Sequence, residues 1–345
     1  MKNSLIAFIG LALAATSLYA PAQEKPGVTI YATGGTIAGS SKSNTDTTNY
    51  APSELGVQAL IEAVPELKTI ATVKGEQIVN VASFDLGDKV LLKLAKAITK
   101  QLSERGTSGV VITHGTDTAE ETAFFLDLTV PSPKPIVVVG AMRPATAISA
   151  DGPMNLFEAV ALAASPSAAG RGALIVLNDR IGSAYYTTKT NSTTLDTFRA
   201  TEQGYLGVFI SGAPHFFYEP AKVVGKPTFD VSNLENLPKV AIVYGYQDQD
   251  VSLIEAAVKG GAKGIVIAGT GNGSIPTSFK NTVKELMEKG VPVVRSTRTG
   301  SGYVSAKEEG IGAGFLNPQK ARILLTLALA EGAGPDRIRG YFEAK

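Results

Sequence analysis

Val28-Thr29-Ile30-Tyr31-Ala32-Thr33-Gly34-Gly35-Thr36-Ile37-Ala38-Gly39 is the stretch from which the rest of the chain is read. A short β-rich apolar run breaks off in Thr-Gly-Gly-Thr, so a strand ends at two glycines with a hydroxyl residue just beyond them. Glycines let backbone N–H groups face a ligand without a Cβ in the way, and open α/β sheets bind ligands at the carboxyl ends of parallel strands. Thr36 stands at such an edge. A plain strand-to-loop turn would use the same glycines.

The arrangement recurs further along. Val110-Val111-Ile112-Thr113 runs into His114-Gly115-Thr116-Asp117-Thr118-Ala119-Glu120-Glu121-Thr122, a second strand that ends in a hydroxyl-rich glycine loop and opens a helix. Asp117 or Thr118 is placed to cap that helix and leave N–H groups at its positive end for a carboxylate or a developing oxyanion. A threonine hydroxyl is a weak nucleophile at its own pKa and needs a neighbouring base. His114 at the strand end reads better as a structural histidine, and His215 in Pro214-His215-Phe216-Phe217-Tyr218 reads as core or interface packing. A desolvated lysine, or a tyrosine paired with a carboxylate, is an equally valid base, and the residues alone do not choose.

Outward from these loops the chain alternates strands and helices, the signature of a mostly parallel sheet covered on both faces. Strands are expected over 28–32, 77–82, 109–113, 135–139 and 173–177. Helices are expected over 53–64, with Ser53 as N-cap, and over 88–105, 120–128 and 154–164, with a hairpin over 204–212. The stretch 222–237, with Pro227 and Asn233, follows neither period and reads as a linker. Beyond it, strands over 239–244, 264–268 and 292–295 alternate with helices over 251–259, 277–288 and 318–329. The fold class is therefore α/β, with a large N-terminal parallel-sheet domain over 23–221 and a smaller C-terminal α/β domain over 238–345.

Residues 1–22 read as a signal peptide: Lys2 supplies the charge, 5–15 are continuously apolar, and Ala20-Pro21-Ala22 is a small-x-small cleavage site. The apolar run is too short to span a membrane, and the mature chain is expected to begin at Gln23. A formal charge of +1, with no basic cluster, argues against nucleic acid or a membrane surface as partner. With no cysteine, two histidines and no carboxylate cluster at ligand spacing, no metal and no cofactor are expected.

Taken together, Thr33-Gly34-Gly35-Thr36-Ile37-Ala38-Gly39 and His114-Gly115-Thr116-Asp117-Thr118 resemble the two signatures of the bacterial type II (periplasmic) L-asparaginase and glutaminase-asparaginase family. Val73-Lys74-Gly75-Glu76-Gln77, Gly140-Ala141-Met142-Arg143-Pro144, Ser149-Ala150-Asp151-Gly152-Pro153 and Leu316-Asn317-Pro318-Gln319-Lys320-Ala321-Arg322 extend the resemblance to the C-terminal region. It implies an amidohydrolase that converts L-asparagine to L-aspartate and ammonia, and also L-glutamine to L-glutamate, through a threonine acyl-enzyme. Thr36 is then the nucleophile, Tyr50 its partner from the same lid, and Thr116 and Asp117 the second half of the site with Lys189. Ser83 and Asp117 are expected to hold the α-carboxylate and α-ammonium of the substrate, with backbone N–H groups near Thr36 and Thr116 as the oxyanion site.

In this family the small domain completes the site of a neighbouring subunit. By motif, Asn272 and Ser274 in Gly271-Asn272-Gly273-Ser274 bind substrate there, and Glu309 pairs with Tyr50, with Glu308 as the adjacent alternative. Serine at 274 is similar to members with more glutaminase activity. The resemblance further implies a homotetramer built as a dimer of intimate dimers, a left-handed crossover in the large domain, and a periplasmic location. One position departs from the pattern: Phe84 follows Ser83 where the family usually has glutamine or glutamate against the α-ammonium. An aromatic ring cannot accept that hydrogen bond, although it offers a cation–π face. The reading from another class is an exported amino-acid-binding protein of two α/β domains, which needs a cleft and a hinge of crossing strands but no nucleophile.

Overall fold

The computed structural model describes residues 24–343, so the expected signal peptide over 1–22 lies outside the described residues. In chain order the first part runs β1 (Gly27–Gly34), α1 (Val57–Glu62), α2 (Leu67–Ile70), β2 (Thr72–Val81), α3 (Asp88–Ser103), β3 (Thr107–Thr113), α4 (Ala119–Thr129) and β4 (Ile136–Val139). It continues with α5 (Gly152–Ala164), β5 (Ala173–Leu177), β6 (Arg180–Ser183), β7 (Thr188–Lys189), β8 (Phe198–Arg199), β9 (Gly207–Ile210) and β10 (Ala213–Phe216). The second part runs β11 (Val240–Tyr244), α6 (Ser252–Lys259), β12 (Gly264–Gly269), α7 (Thr277–Glu288), β13 (Val293–Thr297), β14 (Ile311–Gly312), α8 (Pro318–Ala330) and α9 (Pro335–Glu343).

The large sheet has the order β10-β9-β6-β5-β4-β3-β1-β2, parallel from β2 to β5 and antiparallel beyond. Its inner strands are apolar on both faces because helices cover both. Val110, Ile112 and Val138 join the core with α3 and α4, while the intervening Val111, Val137 and Val139 pack with α5. The small sheet, β11-β12-β13-β14, is parallel throughout.

What fixes the geometry between the two parts is α4. All its residues except Glu121 are buried, because it lies between the large sheet and α8, and α8 in turn lies on the small sheet. One apolar cluster therefore contains Phe124 and Leu128 together with Val266, Leu324 and Leu325. The segment 222–237 carries no helix or strand, yet Phe229 and Val231 are buried in that same cluster and Phe229 N–H donates to the Leu128 carbonyl at 2.9 Å.

Three local expectations are corrected. The helix expected to start at Ser53 starts at Val57. Ser53 takes a left-handed φ of 63°, and its hydroxyl accepts the Gly35 N–H at 2.7 Å, so it buttresses the first loop and does not cap the helix. The hairpin lies at 207–216, its two-residue turn formed by Ser211 and Gly212 with φ of 52° and 75°. Neither expected side chain caps α4: Thr118 Oγ1 donates to the Ser83 carbonyl at 2.9 Å, and Asp117 pairs with a lysine.

Candidate active site

The chain leaves β1 toward β2 on one side and later returns through β3 on the other, which makes the gap between β1 and β3 a topological switch point. Parallel register sets Ala32 against Thr113, so the loops after both strands emerge side by side. They touch backbone to backbone. A Cβ on Gly35 would lie 2.2 Å from the Gly115 Cα, and the φ of Gly35 is 86°, so this position requires glycine on both counts.

Thr36 opens a short 3-10 turn directly after Gly35 and is buried. Its Oγ1 lies 2.7 Å from the Tyr50 hydroxyl, and either oxygen can be the donor. Tyr50 ends a loop over 41–50 whose base is closed by the paired backbone of Ser40 and Ala51, each N–H donating to the other carbonyl at 2.9 Å. The loop is docked on 145–148: Ser41 N–H donates to Thr146 Oγ1 at 2.8 Å and Ile148 N–H to the Asn44 carbonyl at 3.0 Å. Asp46 shapes its tip by accepting the Thr48 and Asn49 N–H groups, and those bonds hold its carboxyl below the usual range.

In the second loop the buried Thr116 hydroxyl accepts from Lys189 Nζ at 3.0 Å, and the same ammonium pairs with Asp117 Oδ1 at 2.7 Å. The Lys189 side chain is 14% exposed and that of Asp117 60% exposed, so the pair has a dry end and a wet end. β7 holds the lysine from behind, its backbone N–H donating to the buried Glu120 carboxylate at 2.9 Å. A pocket of about 150 Å³ opens here, lined by Tyr50, Thr116, Asp117, Met142, Lys189 and Thr193. Asp151 sets the Met142 wall, accepting the Met142 N–H at 2.9 Å and the Arg143 N–H at 3.0 Å. A larger cavity of about 420 Å³, with Tyr244, Arg298 and Gln319 in its wall, also reaches Lys189.

The structure thus brings Thr36, Tyr50, Thr116, Asp117 and Lys189 into one region. Ser83 is buried against Gly115, where a Cβ would meet its Oγ at 2.8 Å, whereas Phe84 is 68% exposed. His114 is structural: its Nδ1 must donate to the Gly115 carbonyl at 2.7 Å, which leaves Nε2 to accept from Thr122 Oγ1 at 2.8 Å. Burial lowers this imidazole to about 4 and keeps it neutral. His215, expected in core or interface packing, is exposed on β10 within the chain.

Asn272, Ser274 and Glu309 do not line the 150 Å³ pocket of their own chain. Asn272 exchanges hydrogen bonds with Ser305, Ser274 bridges back to Thr270, and Glu309 pairs with Lys280 at 2.6 Å, which holds its carboxyl below the usual range. The buried Arg295 ties these loops together through the Gly273 and Ser305 carbonyls at 3.1 and 2.8 Å. Among the described residues, no group of three His, Asp or Glu side chains is arranged to hold a metal, and no helix is long and apolar enough to cross a membrane.

Sequence reasoning missed the roles of Ser53, Glu120 and Asp151. Each acts through backbone N–H groups outside its own element, so no helical or strand spacing marks it.

Residues 27–222 match the family model "Asparaginase, N-terminal" and 239–342 match "Glutaminase/Asparaginase C-terminal domain". The chain belongs to the asparaginase family. It is 54% identical over 332 residues to L-asparaginase 2 of Bacillus subtilis, covering 94% of this chain and 88% of the relative. It is 45% identical over 350 residues to a protein of Haemophilus influenzae named probable periplasmic L-asparaginase, covering 99% and 98%. The solved structure of a probable cytoplasmic L-asparaginase from Campylobacter jejuni superposes with a TM-score of 0.88 at 46% identity, covering 92% of this chain and 99% of that one.

Proposed function

We propose that this chain hydrolyses the side-chain amide of L-asparagine to L-aspartate and ammonia through an acyl-enzyme on Thr36. The observation that carries the reading is a pair of hydroxyl groups at one switch point, each with its own proton partner: Thr36 with Tyr50 at 2.7 Å, and Thr116 with Lys189 at 3.0 Å. Thr36 Oγ attacks the amide carbon while its proton passes toward the Tyr50 oxygen. Collapse of the tetrahedral intermediate breaks the C–N bond, and the amide nitrogen takes up the proton relayed through the Tyr50 hydroxyl and leaves as ammonia. Water then adds to the ester, and the Thr116–Lys189 pair relays its proton as the threonine oxygen departs. Asp117 and Ser83 stand beside these groups to hold the α-ammonium and α-carboxylate.

Three finer statements belong to the same proposal. Ser274 favours a range that includes L-glutamine. Asn272, Ser274 and Glu309 act in the site of a neighbouring subunit within a homotetramer. The apolar run and cleavage site of 1–22 direct export to the periplasm, a reading supported by the name of the Haemophilus relative.

Ammonia release from L-asparagine and L-glutamine, measured side by side for the mature protein and Thr36→Ala, tests the core of this. The parent is expected to hydrolyse asparagine, and the variant to lose nearly all of that activity. A parent that binds the amino acid without releasing ammonia would instead make the chain a binding protein.

A further inference from the structure

The first turn of α8, which belongs to the small domain, grips the segment that delivers Lys189. Lys320 is 2% exposed and its Nζ donates to three backbone carbonyls, those of Ala184 at 2.8 Å, Tyr185 at 3.0 Å and Thr187 at 2.7 Å. Asn317 Nδ2 donates to Thr188 Oγ1 at 3.1 Å. Gln319 Nε2 donates to Glu120 Oε1 at 2.5 Å, and the other oxygen of that carboxylate accepts the backbone N–H of Lys189.

A buried ammonium without a directly bonded carboxylate is a costly residue. Glu120 and Asp127 act on it only through the field, the Phe124 ring lies 5.6 Å away, and burial pulls the amine down to about 8. A methionine would fill much the same space, and apolar replacements of buried charges are often neutral or better for stability. What methionine cannot do is hold three carbonyls of one turn at once. Those carbonyls lie two to five residues before Lys189, on a strand only two residues long that pairs solely with the equally short β8. Apart from the grip of α8, that strand is held by its short pairing with β8 and by the Glu120 carboxylate, which Gln319 itself orients.

We propose that Lys320 and Gln319 are positioning residues for Lys189, so that the small domain sets the geometry of the proton-relay amine in the large domain of its own chain. The inference rests on the amidohydrolase reading of the site. Displacing a reacting group by about 1 Å costs on the order of 100-fold in rate. The loss falls on turnover more than on binding, because Ser83, which holds the α-carboxylate, is fixed in its own loop against Gly115.

The test compares kcat, KM for L-asparagine and melting temperature for Gln319→Leu, Lys320→Met and a control, Arg322→Leu. Arg322 pairs with Glu121 at 2.9 Å across the same α4–α8 seam and does not touch 184–189. Gln319→Leu and Lys320→Met are expected to lower kcat at least tenfold with KM within threefold of the parent. Arg322→Leu is expected to lower the melting temperature and keep kcat within twofold. Should Lys320→Met not fold, the half-buried Gln319 carries the test. The proposal is overturned if Gln319→Leu keeps kcat within twofold, or if all three variants lose turnover in proportion to lost stability. An active parent with an unaffected Gln319→Leu removes this inference alone, whereas a parent that releases no ammonia removes the amidohydrolase reading beneath it.

Discussion

Replacing Tyr50 by phenylalanine deletes one oxygen and leaves the loop otherwise as it is. The ring stays where it packs, over Gly39, close enough that a Cβ there would sit 3.1 Å from a ring carbon. What is lost is the 2.7 Å contact with Thr36 Oγ1. As a structural contact it is one neutral hydrogen bond on a half-buried side chain, worth about 0.5–1.5 kcal/mol net. As a proton path, a positioned acceptor contributes roughly 10²- to 10⁴-fold in rate, which is about 3–5 kcal/mol of barrier. The two magnitudes differ enough to separate. Continuous ammonia release from L-asparagine should show Tyr50→Phe with kcat down by at least about 100-fold, while thermal unfolding registers only the smaller loss. A kcat within threefold of the parent would mean that the Thr36 proton leaves by another route and that the Tyr50 oxygen is not its acceptor.

Gly35→Ala should cost about 2–5 kcal/mol, combining left-handed strain with overpacking against the Gly115 backbone. Gly170→Ala, with a φ of 74° but open space around it, should cost only the strain, about 1–2 kcal/mol; urea titration of both variants isolates the loop contact, and equal costs would deny it. Phe84→Gln restores an acceptor for the α-ammonium and should lower KM for L-asparagine by about tenfold or more, the equivalent of a charge-assisted bond of roughly 1.5–3 kcal/mol; an unchanged KM would place that ammonium elsewhere. Burial, with Asp179 alongside, pushes the Glu158 carboxyl up to about 8. A carboxyl raised in the fold contributes stability that is complete below its ordinary value near 4 and is lost as pH rises through about 8. Glu158→Gln should therefore gain on the parent between pH 5 and 8.5 in urea unfolding, and a constant difference across that range would contradict the assignment.

The large sheet was legible because its inner strands are short apolar runs closed by turn residues, the pattern expected of a strand buried on both faces. The two signature loops were legible for the same reason: glycine and threonine follow the strand directly in the first and after a single histidine in the second. β7 was not. Thr187-Thr188-Lys189-Thr190-Asn191 has no apolar alternation, and Lys189 alone reads as a surface charge. It owes its place to Glu120, 69 residues earlier, and to α8, more than 100 residues later. Ser53 looked like a cap because serine before an apolar run usually is one; the demand of the Gly35 N–H overrode that local preference. The stretch 222–237 reads as a tether because it lacks periodicity, but Phe229 and Val231 make it part of the shared interior.

That shared interior decides how substrate gets in and out. A protein that captures its ligand by swinging two lobes needs a seam that can part, and in this chain parting would expose the apolar faces of α4 and α8 together with the buried charge of Lys320. The two lobes are joined through that interior, whereas the 41–50 loop, which lines the 150 Å³ pocket through Tyr50, packs outside it on 145–148. Were that loop to release 145–148, it would carry the Tyr50 hydroxyl away from Thr36. On the proposed mechanism, an open loop would leave Thr36 without its proton partner and a closed one would restore it.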